Sequence, residues 1–142
     1  AIDAYCDVMG QRVGINDGKR AAQDPVAQQA LADAAIVVDQ QKLVLHRNFD
    51  RMMAAVRSDQ PLTMEERVKM RYDSAAVADA CVSAMDNLLG CSGASGMFLS
   101  HPLNRYFRDL HSGRGHVANT PGKFGRNNGA VMLGLESTDF FL

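Results

Sequence analysis

The stretch Ser58-Asp59-Gln60-Pro61-Leu62-Thr63-Met64-Glu65-Glu66 separates two long segments of helical periodicity and decides how the chain folds. Its first half ends at Pro61 and breaks a helix, because proline lacks the amide hydrogen that a helix interior needs. Its second half is a capping box, in which the Thr63 hydroxyl is available to the Glu66 amide and the Glu66 carboxylate to the Thr63 amide. The stretch therefore predicts two long antiparallel helices joined by a short loop.

Apolar residues recur every three or four positions on both sides of this loop, as on the buried face of a helix. The helix before the loop is predicted from Asp24 to Val56, with Asp24 as its N-cap and Pro25 in its first turn. Its apolar stripe consists of Ala27, Leu31, Ala34, Val38, Leu45, Phe49, Met52 and Val56. The helix after the loop is predicted from Thr63 to Leu89, with Gly90 placed to end it. Its stripe consists of Val68, Tyr72, Ala75, Ala78, Val82, Met85 and Leu89.

Three shorter helices complete the predicted fold. The first runs from Ala1 to about Val13 and precedes a turn signal at Asn16-Asp17-Gly18. The second runs from Pro102 to about Ser112, and the third follows the cap-like pair Thr120-Pro121 and ends at Leu135. Alternation with period two never persists long enough to indicate a strand. We therefore expect an all-α fold, an up-down four-helix bundle closed by the short helix from Pro102.

The composition is that of one ordinary domain, with 142 residues of which 46% are hydrophobic. Fifteen basic residues against 16 acidic ones give a net charge of -1, without the basic surplus that nucleic-acid binding demands. The three cysteines form no Cys-x-x-Cys pair, and the longest apolar run, from Ala34 to Val38, is too short to span a membrane. We expect a reduced, cytoplasmic protein that binds neither nucleic acid nor a membrane.

The histidines do not form a metal-binding pattern. His111 and His116 lie on either side of a Gly-Arg-Gly helix end, whereas ligands on one helical face stand three or four residues apart. The Glu-x-x-His motif of di-iron bundles does not occur in the sequence. We therefore predict no metal site.

The segment Gly90-Cys91-Ser92-Gly93-Ala94-Ser95-Gly96 is small and polar. Such a composition suits a backbone that must lie close to a flat ligand or to another chain, and it equally suits a plain connection between helices. Cys91 follows a predicted helix end, where the negative end of the helix dipole disfavours a thiolate. We interpret Cys91 as structural.

The helix that starts at Pro102 combines a buried face with a densely charged surface. Its core-facing positions recur at helical spacing and are Leu103, Phe107 and Leu110. Arg105 and Asp109 are four residues apart and are spaced to pair along the surface. This pattern alone describes a capped surface helix with incidental histidines.

Taken together, the loop 90–96, the signature Arg105-x-x-Arg108-Asp109 and the following His116 resemble the C-terminal helical domain of the acyl-CoA dehydrogenase superfamily. In the dehydrogenases of that superfamily a catalytic carboxylate follows the Arg-Asp helix. Here His116 and Val117 occupy that region and no Glu does. The replacement resembles the branch of two-component flavin-dependent monooxygenases, such as the oxygenase component of p-hydroxyphenylacetate hydroxylase.

This resemblance implies a reaction and a set of site residues. The branch uses reduced FMN or FAD supplied by a separate flavin reductase, forms a C4a-hydroperoxyflavin and hydroxylates an aromatic, phenolic or steroid-like substrate. By position, Ala94 and Ser95 would contact the flavin, Arg12 would meet its phosphate, and His116 with Val117 would lie near its reactive edge. His116 is the implied catalytic residue, as a base or hydrogen-bond partner, because an imidazole can take a phenolic proton at neutral pH.

The resemblance also implies a larger assembly. It implies a homotetramer that assembles through this domain, and an N-terminal helical domain and a middle β-domain that are absent here. The chain begins at Ala1 within what reads as a helix, so we expect residues 1–142 to be a C-terminal fragment of a longer flavoprotein that is inactive by itself.

Three aromatic residues could wall a substrate pocket, although each is more simply a core residue: Tyr106, Phe107 and Phe124.

Two alternatives stay open. A true acyl-CoA dehydrogenase domain would need a carboxylate base, and Glu136 is the only glutamate after the Arg-Asp helix. The other alternative is a helical domain for oligomerisation or partner binding, with no chemistry of its own.

Overall fold

The computed structural model describes residues 1–14 and 18–140, and its regular structure is helical. Five α-helices follow in chain order: α1 (Ile2–Gln11), α2 (Pro25–Ser58), α3 (Met64–Cys91), α4 (Pro102–Arg114) and α5 (Pro121–Met132). Short 3-10 helices lie at Ala21–Gln23, Ala94–Met97 and Val117–Asn119. Within the described ranges, β-structure is limited to an isolated bridge between Val13 and Arg20. The predicted all-α class is confirmed.

The described residues on either side of positions 15–17 are hydrogen-bonded to each other. The Gly14 amide donates to the Lys19 carbonyl at 2.8 Å, and Gly18 has a left-handed φ of 65°. Of the predicted turn at Asn16-Asp17-Gly18, the first two residues lie outside the described part of the chain.

Among the described residues, no helix has both the length and the apolar character needed to cross a membrane.

The loop between α2 and α3 has the predicted capping box. The Thr63 amide donates to Glu66 Oε2 at 2.9 Å, and the Glu66 amide donates to Thr63 Oγ1 at 3.3 Å. Asp24 also caps α2 as predicted, because its Oδ1 accepts from the Val26 amide at 2.9 Å. Side-chain oxygens at helix starts satisfy amides that have no partner inside the helix.

Several predicted helix ends were wrong, because glycine by itself does not end a helix. The helix α3 continues through Gly90 to Cys91, and the left-handed residue that follows it is Gly93, with φ 74°. Likewise, α4 continues through Gly113 to Arg114, whose guanidinium pairs with Asp79 at 2.6 Å. The reversal after α3 uses a positive φ at Gly93, whereas Gly90 and Gly113 remain helical, because glycine permits a positive φ but does not impose one.

The last helix begins at Pro121 after Thr120, as predicted, but its end and its capping differ from the prediction. It stops at Met132 rather than Leu135, and Gly134 follows with φ 82°. Thr120 occupies the cap position, but its side chain does not cap α5. The Thr120 hydroxyl instead donates to the Val117 carbonyl at 3.1 Å, so it stabilises the preceding 3-10 helix.

The chain divides into two compact units. Unit 1 comprises Ala1–Asp39 and Ala80–Gly113, and unit 2 comprises Gln40–Asp79 and Arg114–Leu142. The buried core of unit 1 consists of Tyr5, Met9, Ala27, Ala30, Ala34, Met85, Leu88, Leu89 and Leu103. Phe107 and Leu110 pack against this core, which confirms the predicted apolar face of α4. Within the core, the Tyr5 hydroxyl donates to the Ala27 carbonyl at 3.2 Å.

In unit 2 the predicted stripe of α2 was wrong at two positions. Phe49 and Val56 are 55% and 76% exposed, and the buried residues are Asn48 and Ala55, one position earlier in each case. The buried position 48 holds a polar side chain, whose Nδ2 donates to Asp73 Oδ2 at 3.0 Å. An apolar pattern therefore selected the neighbouring phenylalanine, although a buried amide is acceptable when it is hydrogen-bonded.

We predict that Tyr5→Phe lowers the free energy of unfolding by about 1 kcal/mol at neutral pH, because it removes a buried hydrogen bond. Burial, followed by the nearby Cys91 thiol, raises the pKa of Tyr5 to about 12. In the unfolded chain a tyrosine titrates near pH ~10. The contribution of Tyr5 is therefore fully present below about pH 10 and is lost as the pH rises toward about 12.

Urea denaturation from neutral to strongly alkaline pH measures this dependence. Tyr5→Phe should flatten part of the alkaline decrease in stability, whereas Tyr106→Phe, at a tyrosine that is 43% exposed, serves as the control. Parallel pH profiles for wild type and Tyr5→Phe would contradict the prediction.

Candidate functional site

Arg12 and the loop after α3 are brought together in unit 1. An Nη of Arg12 donates to the Ser92 carbonyl, and the guanidinium lies against the main chain of Gly93. A Cβ at Gly93 would lie 2.6 Å from Arg12 Nη2, which is closer than real Cβ contacts. The left-handed φ of 74° is the constraint that favours glycine here, whereas the end of the flexible Arg12 side chain can move away from a Cβ.

The loop presents Ala94 and Ser95 outward. Both begin the 3-10 helix Ala94–Met97 and both are exposed. Two side chains hold the loop in place. The Asn104 side chain donates through Nδ2 to the Met97 carbonyl at 3.2 Å, and the buried Ser92 hydroxyl donates to the Leu89 carbonyl at 2.7 Å. A fixed backbone with small, exposed side chains allows close approach of a flat molecule.

A cationic cleft of about 380 Å³ adjoins Arg12 in unit 1. Its charged lining residues are three cations and one carboxylate: Arg12, Lys19, Arg20 and Asp24. This donor set suits an anionic group such as a phosphate, because guanidinium and ammonium groups form charge-assisted hydrogen bonds to phosphate oxygens. The residues present therefore fit the phosphate end of a flavin. Cys91 also lines the cleft.

His116 and Val117 lie in unit 2, at the start of the 3-10 helix Val117–Asn119. Both side chains are exposed, Val117 to 72%. His116 occupies the cap position, and its Nδ1 accepts a hydrogen bond from the Ala118 amide at 3.1 Å. His116 was predicted as a site residue, but its role as a helix cap was not predicted.

The cap determines which nitrogen of His116 carries the proton. A nitrogen that accepts a backbone N–H bond must present a lone pair, so in the neutral ring the proton resides on Nε2. The described residues provide no hydrogen-bond partner for Nε2. The ring therefore offers an N–H donor to its surroundings, whereas its basic lone pair is engaged by the Ala118 amide.

Two of the three predicted aromatic residues, Phe107 and Phe124, belong to cores. Phe107 packs in unit 1 and lies with its ring centroid 4.3 Å from that of His111. Phe124 is only 3% exposed in unit 2, and Tyr106 is 43% exposed. The simpler interpretation of Phe107 and Phe124, as core aromatics, agrees with these positions.

The charged residues of α4 are arranged as a surface helix requires. Arg105 and Asp109 pair at 3.5 Å as predicted, but their side chains are 82% and 68% exposed, so the pair contributes little stability. His111 pairs with Asp86 at 2.8 Å. Neither pair involves a residue of the candidate site.

Three residues of the candidate site were not predicted from the sequence. Lys19 and Arg20 form an adjacent basic pair after a glycine-rich turn, which is a signal that could have been noticed. Arg71 donates through Nη1 to the Ala118 carbonyl at 3.1 Å. Its position within the long periodic helix α3 carries no comparable signal, because the contact joins residues 47 positions apart.

The cleft, the small-residue loop and the Arg-Asp helix of unit 1 occur in a chain whose residues 1–121 match the family described as acyl-CoA dehydrogenase, C-terminal domain. The chain belongs to this family. Its fold agrees with that assignment, since the crystal structure of 3-HSA hydroxylase from Rhodococcus sp. RHA1 superposes with a TM-score of 0.87 at 31% identity. The superposition covers 97% of this chain and 36% of that one. The predicted fold family is confirmed.

Curated relatives of this acyl-CoA dehydrogenase C-terminal domain are oxygenase subunits. The oxygenase subunit HsaA of a flavin-dependent monooxygenase from Rhodococcus jostii is 31% identical over 140 residues, covering 98% of this chain and 37% of that protein. The oxygenase component of an FADH2-dependent resorcinol hydroxylase from Rhizobium sp. is 28% identical over 144 residues, covering 96% and 35%. The chain thus spans little more than a third of the relatives that it matches.

We predict that Gly93→Ala lowers the free energy of unfolding by about 1–2 kcal/mol, because an L-residue is strained at this left-handed φ. The new methyl group would also displace the Arg12 guanidinium. Urea denaturation measures the change. The matched control is Gly90→Ala, at a helical glycine whose Cβ would meet nothing within 4 Å and which should stabilise the domain by about 0.5–1 kcal/mol. A Gly93→Ala protein as stable as wild type would contradict the prediction.

Proposed function

We propose that this chain is the C-terminal domain of a reduced-flavin-dependent monooxygenase that hydroxylates an aromatic, phenolic or steroid-like substrate. The proposal rests on the geometry of His116, which presents an exposed Nε2–H from a hydrogen-bonded turn. This histidine follows the Arg-Asp helix, in the region where a dehydrogenase would need a carboxylate. The functions of the two curated relatives, HsaA and the resorcinol hydroxylase component, support it. An N-terminal helical domain and a middle β-domain would complete the flavoprotein.

The flavin would be held by residues of unit 1. Arg12, with Lys19 and Arg20, supplies the positive charge for its phosphate, and the backbone at Ala94 and Ser95 is open to close approach by its ring. Either FMN or FAD satisfies this donor set, and a separate reductase would supply the reduced form. When bound, the reduced flavin supplies the activation of oxygen for insertion into the ring of the substrate.

His116 would act on the substrate oxygen. Its Nε2–H can donate a hydrogen bond to a phenolate, which lowers the free energy of the deprotonated and more nucleophilic ring. Proton abstraction by the same histidine would have to use Nδ1 and would break the bond from the Ala118 amide. The geometry therefore favours a hydrogen-bond donor over a general base. Val117, beside it, offers an exposed apolar surface for the substrate or the flavin.

The dehydrogenase alternative depends on Glu136. This residue is exposed in the segment after α5, and no described contact orients it as a base. His116, by contrast, is held in one orientation by the bond from the Ala118 amide. We therefore favour the monooxygenase, which would work in the cytoplasm.

We predict that His116→Asn preserves the fold and slows hydroxylation by about 10²- to 10⁴-fold in the complete oxygenase supplied with its reductase and reduced flavin. Asparagine is a good cap, so its side-chain oxygen can replace Nδ1, but it has no group at the position of Nε2. Turnover that is lost should reappear as hydrogen peroxide, because activated oxygen that is not transferred is released.

His111→Asn is the matched control, since His111 pairs with Asp86 on the surface of α4. Product and peroxide are measured together with circular dichroism. Equal hydroxylation and equal peroxide release in wild type and His116→Asn would remove His116 from the mechanism.

A second proposal is self-association into a homotetramer. On α2, Phe49, Met53 and Val56 are 55%, 49% and 76% exposed and recur at helical spacing, which forms an apolar surface in unit 2. We predict that wild type self-associates in sedimentation at tens of micromolar. Val56→Lys should weaken this self-association, because it places a charge in that surface. Val26→Lys, at a valine of unit 1 that is 66% exposed, is the control. A strictly monomeric wild type would refute the proposal.

A further inference from the structure

Arg71 lies at the centre of a set of contacts in unit 2. Its guanidinium carbon lies 3.8 Å from the centroid of the Phe124 ring, and its Nη1 donates to the Ala118 carbonyl at 3.1 Å. Its Nε is 4.0 Å from Asp139 Oδ2. The side chain is only 23% exposed, so these contacts replace most of the water around the cation.

The carboxylate beside Arg71 is itself held in position. The Asp139 side chain is fully buried and also lies 3.7 Å from Lys123 Nζ. The preceding residues are fixed to α5, because Asn127 Oδ1 accepts from the Thr138 amide at 2.8 Å and from the Thr138 hydroxyl at 3.1 Å. Arg71 is therefore packed on the ring of Phe124 and held by the hydrogen bond from its Nη1 to one carbonyl, while Asp139 contributes a longer ion pair of 4.0 Å rather than a hydrogen bond.

That carbonyl belongs to the turn that carries His116. Within the turn, the Asn119 amide donates to the His116 carbonyl at 2.8 Å and the Thr120 hydroxyl donates to the Val117 carbonyl at 3.1 Å. The bond from Arg71 to the Ala118 carbonyl adds an anchor from α3. Ala118 is also the residue whose amide binds His116 Nδ1.

We propose that Arg71 is a positioning residue that holds the Ala118 backbone in the orientation in which its amide fixes His116 with the proton on Nε2. This inference deepens the proposed function and rests on it for the catalytic consequence. Without Arg71, the Ala118–Asn119 peptide loses its anchor, and the Asn119 amide in the same plane loses its alignment with the His116 carbonyl. The turn that places the Ala118 amide against His116 then loosens. The bond to Nδ1 lengthens, and the imidazole populates both tautomers.

The test uses two readouts. Two-bond ¹H–¹⁵N correlation spectra of protein labelled with ¹⁵N-histidine report the tautomer of His116, and the missing signals of His116→Asn assign its resonances. The second readout is the share of consumed oxygen that appears as hydrogen peroxide in the complete oxygenase with its reductase and reduced flavin. A residue with a purely structural role changes stability but leaves both readouts as in wild type.

In wild type we expect a single Nε2–H tautomer. In Arg71→Met we expect a mixture of tautomers, a larger peroxide share and hydroxylation slower by about 10- to 100-fold, as a small displacement of a catalytic group causes. Arg47→Met is the matched control. Arg47 is another arginine of unit 2 in an ion pair, with its Nη2 2.6 Å from Asp73 Oδ2, and it should leave both readouts unchanged.

Arg71→Lys keeps the proposal testable if Arg71→Met does not fold. Lysine keeps the positive charge beside Phe124 and Asp139 but lacks the planar fork that reaches the carbonyl, so we expect smaller changes in the same direction. Wild-type tautomer and wild-type peroxide share in every folded Arg71 variant would overturn the proposal. If wild type hydroxylates no substrate, the proposed function fails, whereas the tautomer comparison still decides whether Arg71 positions the ring.

Discussion

The register of the two long helices in unit 2 depends on the hydrogen bonds that the Glu66 carboxylate accepts. It accepts two hydrogen bonds from Arg51 on α2, at 2.6 and 3.0 Å, and one from the Thr63 amide at 2.9 Å. One side chain thus begins α3, closes the loop and attaches α3 to α2. The bonds from Arg51 and then from Thr63 lower the pKa of Glu66, which keeps it ionised. Asp73, two turns further along α3, repeats the attachment through Asn48.

The helices and their starts could be predicted from the sequence, because caps and apolar periodicity are local properties. The pairs Asp24-Pro25 and Thr63 with Glu66 marked their helix starts correctly for this reason. Helix ends and the buried face of α2 could not be predicted to the residue. Whether Gly90 or Gly93 adopts a positive φ, and whether Asn48 can be buried, depends on partners distant in sequence.

The candidate site shows the same division. The residue types were legible, since a small-residue loop, an Arg-Asp helix and a histidine in place of a carboxylate stand in the sequence. Their arrangement was not, because neither the local bond at His116 nor the distant bond from Arg71 can be inferred from the spacing of residues. The role of His116 follows from an amide two residues away, and the role of Arg71 follows from a carbonyl on another segment of unit 2. Neither contact has a signature in spacing.

The two ring nitrogens of His116 have separate uses, one in capping the helix and the other in the proposed chemistry. The helix start needs an acceptor near the backbone, which asparagine, aspartate or serine also provides. Chemistry would need the distal nitrogen, which none of them has. A survey of variants scored by protein abundance would therefore rate position 116 as tolerant. Loss-of-function alleles at this position would accumulate as folded, expressed protein and would be recognised only by a measurement of turnover.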